Sequence, residues 1–229
     1  MRSPVIAIDG PAGSGKSSVS RRVASRLGLR YLDTGAMYRA MTWAMLDAHV
    51  DVNDAAAVAA HAPSAEVVSG TNPIHPTVHV GGVDVEGEIR GEEVTAAVSA
   101  VSAVEVVRDI LVQIQRDAVA QAVADGTGIV VEGRDITTVV LPDANLKIYI
   151  TADADVRAQR RASQDERAGS AQVDLDRTHR ALLARDAKDS QRKASPLTLA
   201  ADAVLVDTTD LTLDEVVDHV CALAEAVPE

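Results

Sequence analysis

Aromatic side chains and cysteines are nearly absent from this sequence. Its 229 residues include three Tyr, one Trp and no Phe. The core must therefore be built from Val, Leu, Ile and Ala, and the aromatic platforms on which RNA-binding modules stack bases are largely missing. Cys221 is the single cysteine, which excludes an intramolecular disulfide and a cysteine-based metal site. Its apolar neighbours predict a buried small side chain rather than a reactive thiol.

Long apolar runs are also missing. A transmembrane helix needs ~18 uninterrupted apolar residues. Residues 94–107 come closest, but Thr95, Ser99, Ser102 and Glu105 interrupt them. The N-terminal residues lack the charged and apolar regions of a secretory signal. We therefore expect a cytoplasmic protein with no membrane partner.

Positive charge is scarce overall but concentrated in one segment. The net charge of −12 disfavours attraction to a nucleic-acid backbone, so we expect no nucleic-acid partner. Residues 157–193 nevertheless carry ten Lys or Arg against six Asp or Glu. A basic segment on an acidic body suits a small polyanionic ligand, although a solvated helical face has the same composition.

Short apolar runs alternate with helical patterns along the chain. The apolar runs predict strands at residues 4–9, 29–32, 129–131, 147–150 and 203–206. The helical patterns cover residues 16–27, 36–48, 104–125, 154–168 and 175–192, and a last helix opens with Thr212 and Glu215 at capping-box spacing. This alternation predicts an α/β fold with a central five-stranded parallel sheet flanked by helices. Brief β-like runs between Gly-rich and Pro-rich turns at residues 64–90 predict a small inserted antiparallel meander.

One motif predicts a binding site for nucleotide phosphates. The predicted first strand is followed by a stretch that matches the P-loop pattern G-x-x-x-x-G-K-[ST] at every fixed position. Backbone N–H groups of such a loop surround a phosphate, and the next helix adds its positive N-terminus. Lys16 is predicted to reach the β- and γ-phosphates of ATP, and the Ser17 hydroxyl to ligate Mg²⁺. The predicted ATP-binding residues are Gly10, Pro11, Ala12, Gly13, Ser14, Gly15, Lys16, Ser17 and Ser18.

The P-loop alone leaves the acceptor of the phosphoryl group open. A GTPase ordinarily needs Asn-Lys-x-Asp, which none of Asn53, Asn72 or Asn145 begins, and the chain is short for a helicase or transporter ATPase. A kinase is favoured, acting on a nucleoside monophosphate or on a small metabolite such as shikimate. A regulatory switch that binds nucleotide and a protein partner is the alternative from another class.

Two histidines four residues apart raise the question of a metal site. His75 and His79 would share one face of a helix, but Pro73 and Pro76 forbid a regular helix there. We therefore expect exposed histidines on strands and no metal site at this position.

Further motifs follow the P-loop along the chain. They are Asp33-Thr34-Gly35-Ala36-Met37-Tyr38-Arg39, Glu86-Gly87-Glu88-Ile89-Arg90, Ser99, Val107-Arg108, Gly133-Arg134-Asp135, Arg185-Asp186 with Asp189 and Arg192, Ser195-Pro196-Leu197, Ala201-Asp202-Ala203 and Asp207-Thr208-Thr209. In this order, from about residue 5 to residue 220, the motifs resemble those of the bacterial cytidylate kinases. The resemblance implies a P-loop nucleoside monophosphate kinase that uses Mg²⁺ and ATP, acts on CMP and dCMP, and is a monomer. It also implies a core of residues 1–37, 103–155 and 195–229, a monophosphate-binding domain of residues 38–102, and a lid of residues 156–194.

The resemblance assigns roles to individual residues. Arg39, Arg134 and Arg192 would hold the acceptor phosphate. Arg185 and Asp189 would meet the ribose, with Arg185 also near the transferring phosphoryl group. Lys16, Arg134 and Arg185 are the predicted catalytic residues. The predicted cytosine-facing residues are Thr34, Ser99, Arg108 and Asp135.

Three positions depart from many relatives. Lys188 and Ser190 stand in the lid helix where arginine is common, and Thr34 stands where serine is common. Lys188 keeps the charge but loses the bidentate fork of a guanidinium. Ser190 loses both, so no phosphate contact is assigned to it, whereas Thr34 keeps the hydroxyl.

Overall fold

A computed structural model describes residues 4–167, 174–191 and 195–227. In chain order its elements are β1 (Val5–Asp9), α1 (Lys16–Leu27), β2 (Arg30–Asp33), α2 (Thr34–Asp47), α3 (Ala55–His61), β3 (Val67–Ser69), β4 (Val78–Val80), β5 (Val83–Asp84), α4 (Glu92–Val101), α5 (Glu105–Ala124), β6 (Ile129–Glu132), β7 (Leu146–Thr151), α6 (Ala154–Arg167), α7 (Leu175–Ser190), β8 (Val204–Asp207) and α8 (Leu213–Glu225). One turn of π-helix, Ile136–Val140, follows β6.

Five of the strands form one parallel sheet in the order β2-β6-β1-β7-β8. The predicted α/β class and five-stranded parallel sheet are confirmed. Asp33 of β2 is in register with Glu132 of β6, and Asp9 ends the adjacent β1. Because parallel strands point the same way, these three carboxylates lie along one edge of the sheet. This is the edge at which ligands of open α/β sheets bind.

Aliphatic side chains fill both faces of the sheet, as the shortage of aromatics predicts. On one face, Ile6 and Ile8 pack with Val19, Val23 and Val217 from α1 and α8. Cys221 is buried in this same layer. The layer on the other face is formed mainly by α2, α5 and the π-helical turn.

The inserted meander is confirmed as a three-stranded antiparallel sheet in the order β3-β4-β5. Its buried residues Val67 and Val78 share a cluster with Met41 and Met45 of α2. The predicted start of the monophosphate-binding domain, residue 38, falls inside α2. The division of the chain into three domains stays a prediction.

Helix α2 begins two residues earlier than the sequence pattern predicts. Asp33, at the end of β2, accepts a 2.9 Å hydrogen bond from the backbone N–H of Ala36 and so caps the helix. The strand therefore passes directly into the helix, without the short loop that the pattern implied. No helix among the described residues is long and apolar enough to cross a membrane.

Candidate active site

The phosphate-binding loop joins β1 to α1 at the carboxyl edge of the sheet. Gly10 has a φ of 150°, and a Cβ atom there would lie 2.0 Å from the carbonyl oxygen of Ile150. Gly15 has a φ of 87° and caps α1. Only glycine fits either position without strain. Lys16 is buried, and its Nζ donates a 2.9 Å hydrogen bond to the carbonyl of Pro11. Burial, and then the charge of Arg134, lower the pKa of this ammonium.

Glu132, which the sequence patterns did not predict as a site residue, contacts the end of this loop. Its Oε2 accepts a 3.0 Å hydrogen bond from the Ser17 hydroxyl, and its Oε1 accepts one from the Tyr31 hydroxyl. Burial, and then the neighbouring Asp33, raise the pKa of the Glu132 carboxyl. A usable signal was present, because an acidic residue directly follows the buried run of β6.

Ser17 and Glu132 are two oxygen donors that could serve as ligands to Mg²⁺. Mg²⁺ is commonly bound through one or two carboxylates, substrate phosphates and water rather than by an all-protein cage. The described residues hold no group of three or more His, Cys, Asp or Glu placed to bind a metal. One hydroxyl and one carboxylate beside a phosphate loop fit that pattern.

Four arginines from separate elements converge beside the loop. The pKa of Arg39 falls to about 10 through burial and then the charge of Arg161. The pKa of Arg185 also falls to about 10, through burial and then the charges of Arg134 and Arg39. Neighbouring guanidinium groups thus lower the pKa of both Arg39 and Arg185, as like charges close to one another do. Arg161 in α6 belongs to this cluster, although the sequence patterns did not assign it.

The partners of these arginines differ in kind. Arg39 Nη1 donates to the carbonyl of Ile89 at 3.0 Å and to Thr95 Oγ1 at 2.9 Å. Arg134 Nε donates to the buried carboxylate of Asp189 at 3.1 Å. Arg185 Nε is buried and has no hydrogen-bond partner among the described residues. A buried charged donor without a partner is costly, and a bound phosphate would satisfy it.

Arg192 lies outside the described residues. Lys188 and Ser190 are both exposed in α7, whereas Asp189 between them is buried. The structure thus brings Arg39, Arg134 and Arg185 together and orients Asp189 toward Arg134.

Two of the predicted base-facing residues form a buried ion pair. Arg108 donates from Nη2 to Asp135 Oδ2, and both side chains are about nine-tenths buried or more. The Arg108 guanidinium also lies 5.6 Å from the centre of the Tyr38 ring. Thr34 donates its hydroxyl to the backbone carbonyl of Glu132 at 2.7 Å. Ser99 is half-buried in α4, and its side chain makes no hydrogen bond within the part of the chain that is described.

Asp9 fixes the segment that carries Arg134 and Asp135. Its fully buried carboxylate accepts hydrogen bonds from the N–H of Ile136 at 3.0 Å, and from the N–H and hydroxyl of Thr137 at 2.8 and 2.7 Å. These bonds tie the π-helical turn after β6 to the strand that leads into the phosphate loop.

A cavity of about 460 Å³ opens beside the loop, between α6 and the β8–α8 connection. Ser14, Gly15 and Ser18 line one side, and Arg160 and Thr208 line another. Arg160 is held in place because it donates to Thr208 Oγ1 at 2.9 Å and to the Thr208 carbonyl at 2.7 Å. The volume lies in the range of small-ligand sites. The sequence patterns did not predict this cavity.

Three features together define a P-loop kinase. They are a phosphate loop at the carboxyl edge of a parallel sheet, the Glu132 carboxylate hydrogen-bonded to Ser17, and a cluster of arginines beside the loop. The family model described as "Cytidylate kinase" matches residues 6–226. The chain belongs to the cytidylate kinase family, as the sequence motifs predicted.

Relatives at high coverage agree with this assignment. The chain is 53% identical to the cytidylate kinase of Streptomyces avermitilis over 221 residues, covering 96% of this chain and 92% of that protein. It is 55% identical to the cytidylate kinase of Nocardia farcinica over 219 residues, covering 94% and 90%. Among solved structures, a gluconokinase from Sinorhizobium meliloti is similar in fold, with a TM-score of 0.50 and 14% identity. The match covers 99% of this chain and 95% of the gluconokinase chain. That likeness concerns the fold alone.

Proposed function

We propose that the protein transfers the γ-phosphoryl group of ATP to CMP, and also to dCMP, giving the diphosphate and ADP. The observation that carries the proposal is the position of Arg185. Its buried Nε has no hydrogen-bond partner among the described residues, and the guanidinium interacts electrostatically with Arg134, Arg39 and Lys16 of the phosphate-loop motif. Cations supplied by the phosphate-loop motif and by the arginine cluster suit a reaction that brings two polyanions together.

The donor nucleotide would occupy the phosphate loop and the adjacent cavity. The N–H groups at residues 13–17 and the Lys16 ammonium suit the β- and γ-phosphates. The nucleoside would extend into the cavity between α6 and the β8–α8 connection, where Arg160 offers a flat guanidinium surface held by Thr208.

Mg²⁺ would be held by the Ser17 hydroxyl and by Glu132, directly or through water. When bound, it neutralises part of the phosphate charge. Tyr31 and Ser17 already orient the Glu132 carboxylate toward this position. These two hydrogen bonds, of which the one from Tyr31 is buried, would prepare the metal ligands before the nucleotide arrives.

The acceptor phosphate would be held by Arg39, Arg134 and Arg192. A phosphate monoester is already anionic and nucleophilic, so a strong general base is unnecessary. The guanidinium forks fix the attacking oxygen in line with the γ-phosphorus. Arg185 would stabilise the charge that develops on the transferring group, and Asp189 would contact the ribose while it holds Arg134.

Base recognition would come from Asp135, Arg108 and Ser99, with Thr34 nearby. Cytosine presents an amino donor at position 4 and acceptors at N3 and O2. Asp135 accepts from the amino group, while Arg108 and Ser99 donate to the acceptors. Uracil reverses the polarity at positions 3 and 4, and buried polar pairs of this kind discriminate by up to ~10⁴-fold.

The monophosphate-binding domain, residues 38–102, and the lid, residues 156–194, would close over the two substrates and exclude water. Closure prevents transfer of the phosphoryl group to water instead of CMP. We propose further that the protein acts as a monomer in the cytoplasm.

A coupled assay of ADP release tests the function directly. The protein is supplied with Mg-ATP and, separately, CMP, dCMP, UMP, AMP, GMP and shikimate. We expect rapid ADP release with CMP and dCMP, and its loss in Lys16→Ala with the fold intact. Slow ATP hydrolysis that no monophosphate stimulates would contradict the proposal and favour a nucleotide-dependent switch.

A further inference from the structure

Helix α7 contacts the phosphate loop through Asp186. Asp186 Oδ1 accepts a 3.0 Å hydrogen bond from the backbone N–H of Ala12 in the loop. Its Oδ2 accepts a 2.5 Å hydrogen bond from Nη1 of Arg157 in α6. The side chains of Asp186 and Arg157 are only 16% and 8% exposed. This is therefore a largely desolvated contact, unlike the exposed ion pairs that add little to stability.

Arg157 completes a closed network around Ala12. The same Nη1 donates to the Ala12 carbonyl at 3.0 Å, and Nε donates to the Ala152 carbonyl at 3.1 Å. Both the N–H and the carbonyl of Ala12 are thus held. Ala12, Ala158 and Leu182 form a small buried cluster that packs the loop, α6 and α7 together.

The peptide group between Pro11 and Ala12 links Asp186 to Lys16. Its N–H donates to Asp186, and its carbonyl accepts from Lys16 Nζ at 2.9 Å. A peptide group is planar and rigid, so a partner that orients the N–H also orients the carbonyl. The Asp186 carboxylate therefore sets the acceptor on which the Lys16 ammonium rests, and hydrogen bonds arranged in series polarise one another.

Asp186 also directly follows Arg185 in α7. Arg185 lies within electrostatic reach of Arg134 and Arg39. The carboxylate of Asp186 holds the loop while the preceding side chain extends into the arginine cluster. One turn of α7 thus ties together the two cations that flank the transferring group in the proposed function.

We propose that Asp186 is a positioning residue that sets Arg185 and Lys16 at their working separation by tying α7 to the Pro11–Ala12 peptide. In this role Asp186 would itself contact neither nucleotide. The inference rests on the proposed function, because its catalytic consequence is misplacement of Arg185 and Lys16 during phosphoryl transfer.

The kinetic test compares Asp186→Ala and Asp186→Asn with the wild type at saturating ATP and CMP. Misplacement of about 1 Å costs up to ~100-fold in rate, so we expect kcat to fall ~10- to 100-fold in Asp186→Ala. Asp186→Asn keeps an acceptor for Ala12 but turns an N–H group toward Arg157, so we expect an intermediate loss. Thermal unfolding of each variant shows whether the enzyme assayed is folded.

Asp155→Ala is the matched control. Asp155 of α6 faces His179 of α7 at 3.5 Å, with side chains 82% and 31% exposed, so the variant also removes a contact between the two helices. This pair does not include the phosphate loop. We expect kcat within about twofold of the wild type. An equal loss in Asp155→Ala and Asp186→Ala would overturn the proposal, because general loosening of the helices would explain both.

A double-mutant cycle tests whether Asp186 acts through Arg185. If it does, Asp186→Ala in an Arg185→Ala background costs much less than it costs alone. Losses that simply multiply, or a folded Asp186→Ala enzyme with wild-type kcat, would overturn the proposal.

A binding measurement keeps this inference separate from the identity of the acceptor. Calorimetry with a non-hydrolysable ATP analogue and Mg²⁺ needs no acceptor. Since a loosened loop must be ordered on binding, we expect the affinity of Asp186→Ala to fall about threefold or more, and that of Asp155→Ala to stay unchanged. If CMP stimulates no ADP release in the wild type, the proposed function fails. Equal analogue affinity in wild type and Asp186→Ala would instead overturn the role of Asp186.

Discussion

The hydroxyl of Ser17 donates a 3.0 Å hydrogen bond to the buried carboxylate of Glu132. Ser17 lies in the first turn of α1, at the end of the P-loop motif, and Glu132 ends β6, which pairs with β1. The bond joins two elements that are more than a hundred residues apart in sequence. In the proposed function this hydroxyl and this carboxylate would hold Mg²⁺.

Glu132→Gln removes the negative charge of the carboxylate but keeps its two hydrogen bonds. The amide can still bond to both Ser17 and Tyr31, because each hydroxyl can donate or accept. Loss of the carboxylate charge should reduce Mg²⁺ affinity about 10- to 100-fold, as for other residues that support metal ligands. The measurement is the Mg²⁺ concentration for half-maximal rate. The exposed Glu66→Gln serves as control, and equal Mg²⁺ dependence in all three proteins would remove Glu132 from this role.

Asp9→Ala tests the bridge between β1 and the π-helical turn. The substitution leaves the N–H groups of Ile136 and Thr137 buried without their acceptor. Each unpaired buried group costs about 1–3 kcal/mol, so for the two groups we expect a loss of about 2–6 kcal/mol in the free energy of unfolding. Urea unfolding measures it, with the exposed Asp143→Ala as control. A loss below about 1 kcal/mol would show that the turn does not depend on Asp9.

Glu215 gives a prediction about pH. It forms the capping box of α8, where it accepts hydrogen bonds from the N–H and hydroxyl of Thr212 at 2.8 and 2.7 Å. These bonds lower the pKa of the Glu215 carboxyl below its ordinary value of 4.5. A carboxyl with a lowered folded-state pKa stabilises the fold above its unfolded-state pKa, and that stabilisation is lost as pH falls through the folded-state value.

Glu215→Gln should therefore be less stable than the wild type at neutral pH. The difference should stay constant down to about pH 4.5 and shrink only below it. Thermal unfolding of both proteins across this range provides the measurement, with the exposed Glu225→Gln as control. A difference that does not change at acidic pH would contradict the assignment to charge.

Local patterns predicted most of the fold. The phosphate loop, the alternating strands and helices, and the capping box at Thr212 and Glu215 each depend on neighbouring residues, and each is present. Helix α2 begins earlier than predicted because Asp33 serves both as strand end and as cap. The inserted meander was recognisable because its short apolar runs are separated by Gly and Pro.

Contacts between residues distant in the sequence could not be predicted from local patterns. Nothing near Glu132 in the sequence shows that it meets Ser17 and Tyr31, since the contact depends on strand order. The cavity beside Arg160 depends on how α6 and the β8–α8 connection pack. Arg161 enters the arginine cluster for the same reason. The family resemblance pointed to Arg108 and Asp135 individually, but their ion pair is a property of the fold.

Asp135→Asn tests base selection. The carboxylate only accepts hydrogen bonds, whereas an amide can also donate to the oxygen at position 4 of uracil. We expect the ratio of kcat/KM for CMP over UMP to fall, mainly through weaker use of CMP. Because Asp135 also pairs with buried Arg108, thermal unfolding must accompany the kinetics. An unchanged ratio in a folded variant would remove Asp135 from base recognition.

The last prediction concerns the arginines assigned to the acceptor phosphate. Arg39→Ala is the cleanest variant, because the partners it leaves are a carbonyl and an exposed hydroxyl. Arg134→Ala leaves the buried carboxylate of Asp189 without this partner and needs a stability control. A charged hydrogen bond contributes about 1.5–3 kcal/mol, so we expect kcat/KM for CMP to fall roughly 10- to 100-fold in each.

Both kinetic constants should change in these variants, because a missing fork loosens the nucleophile and also misplaces it. Arg192→Ala is expected to behave in the same way. Arg22→Ala is the control, since Arg22 forms an exposed ion pair with Asp214 away from the cluster. Crystal structures with and without CMP give the direct test. A bound phosphate offers partners to guanidinium groups from separate elements, so those elements should draw together around it. A guanidinium that points to solvent in the CMP complex would lose its assigned role, even if its substitution slows the reaction, because the slowing would then have another cause.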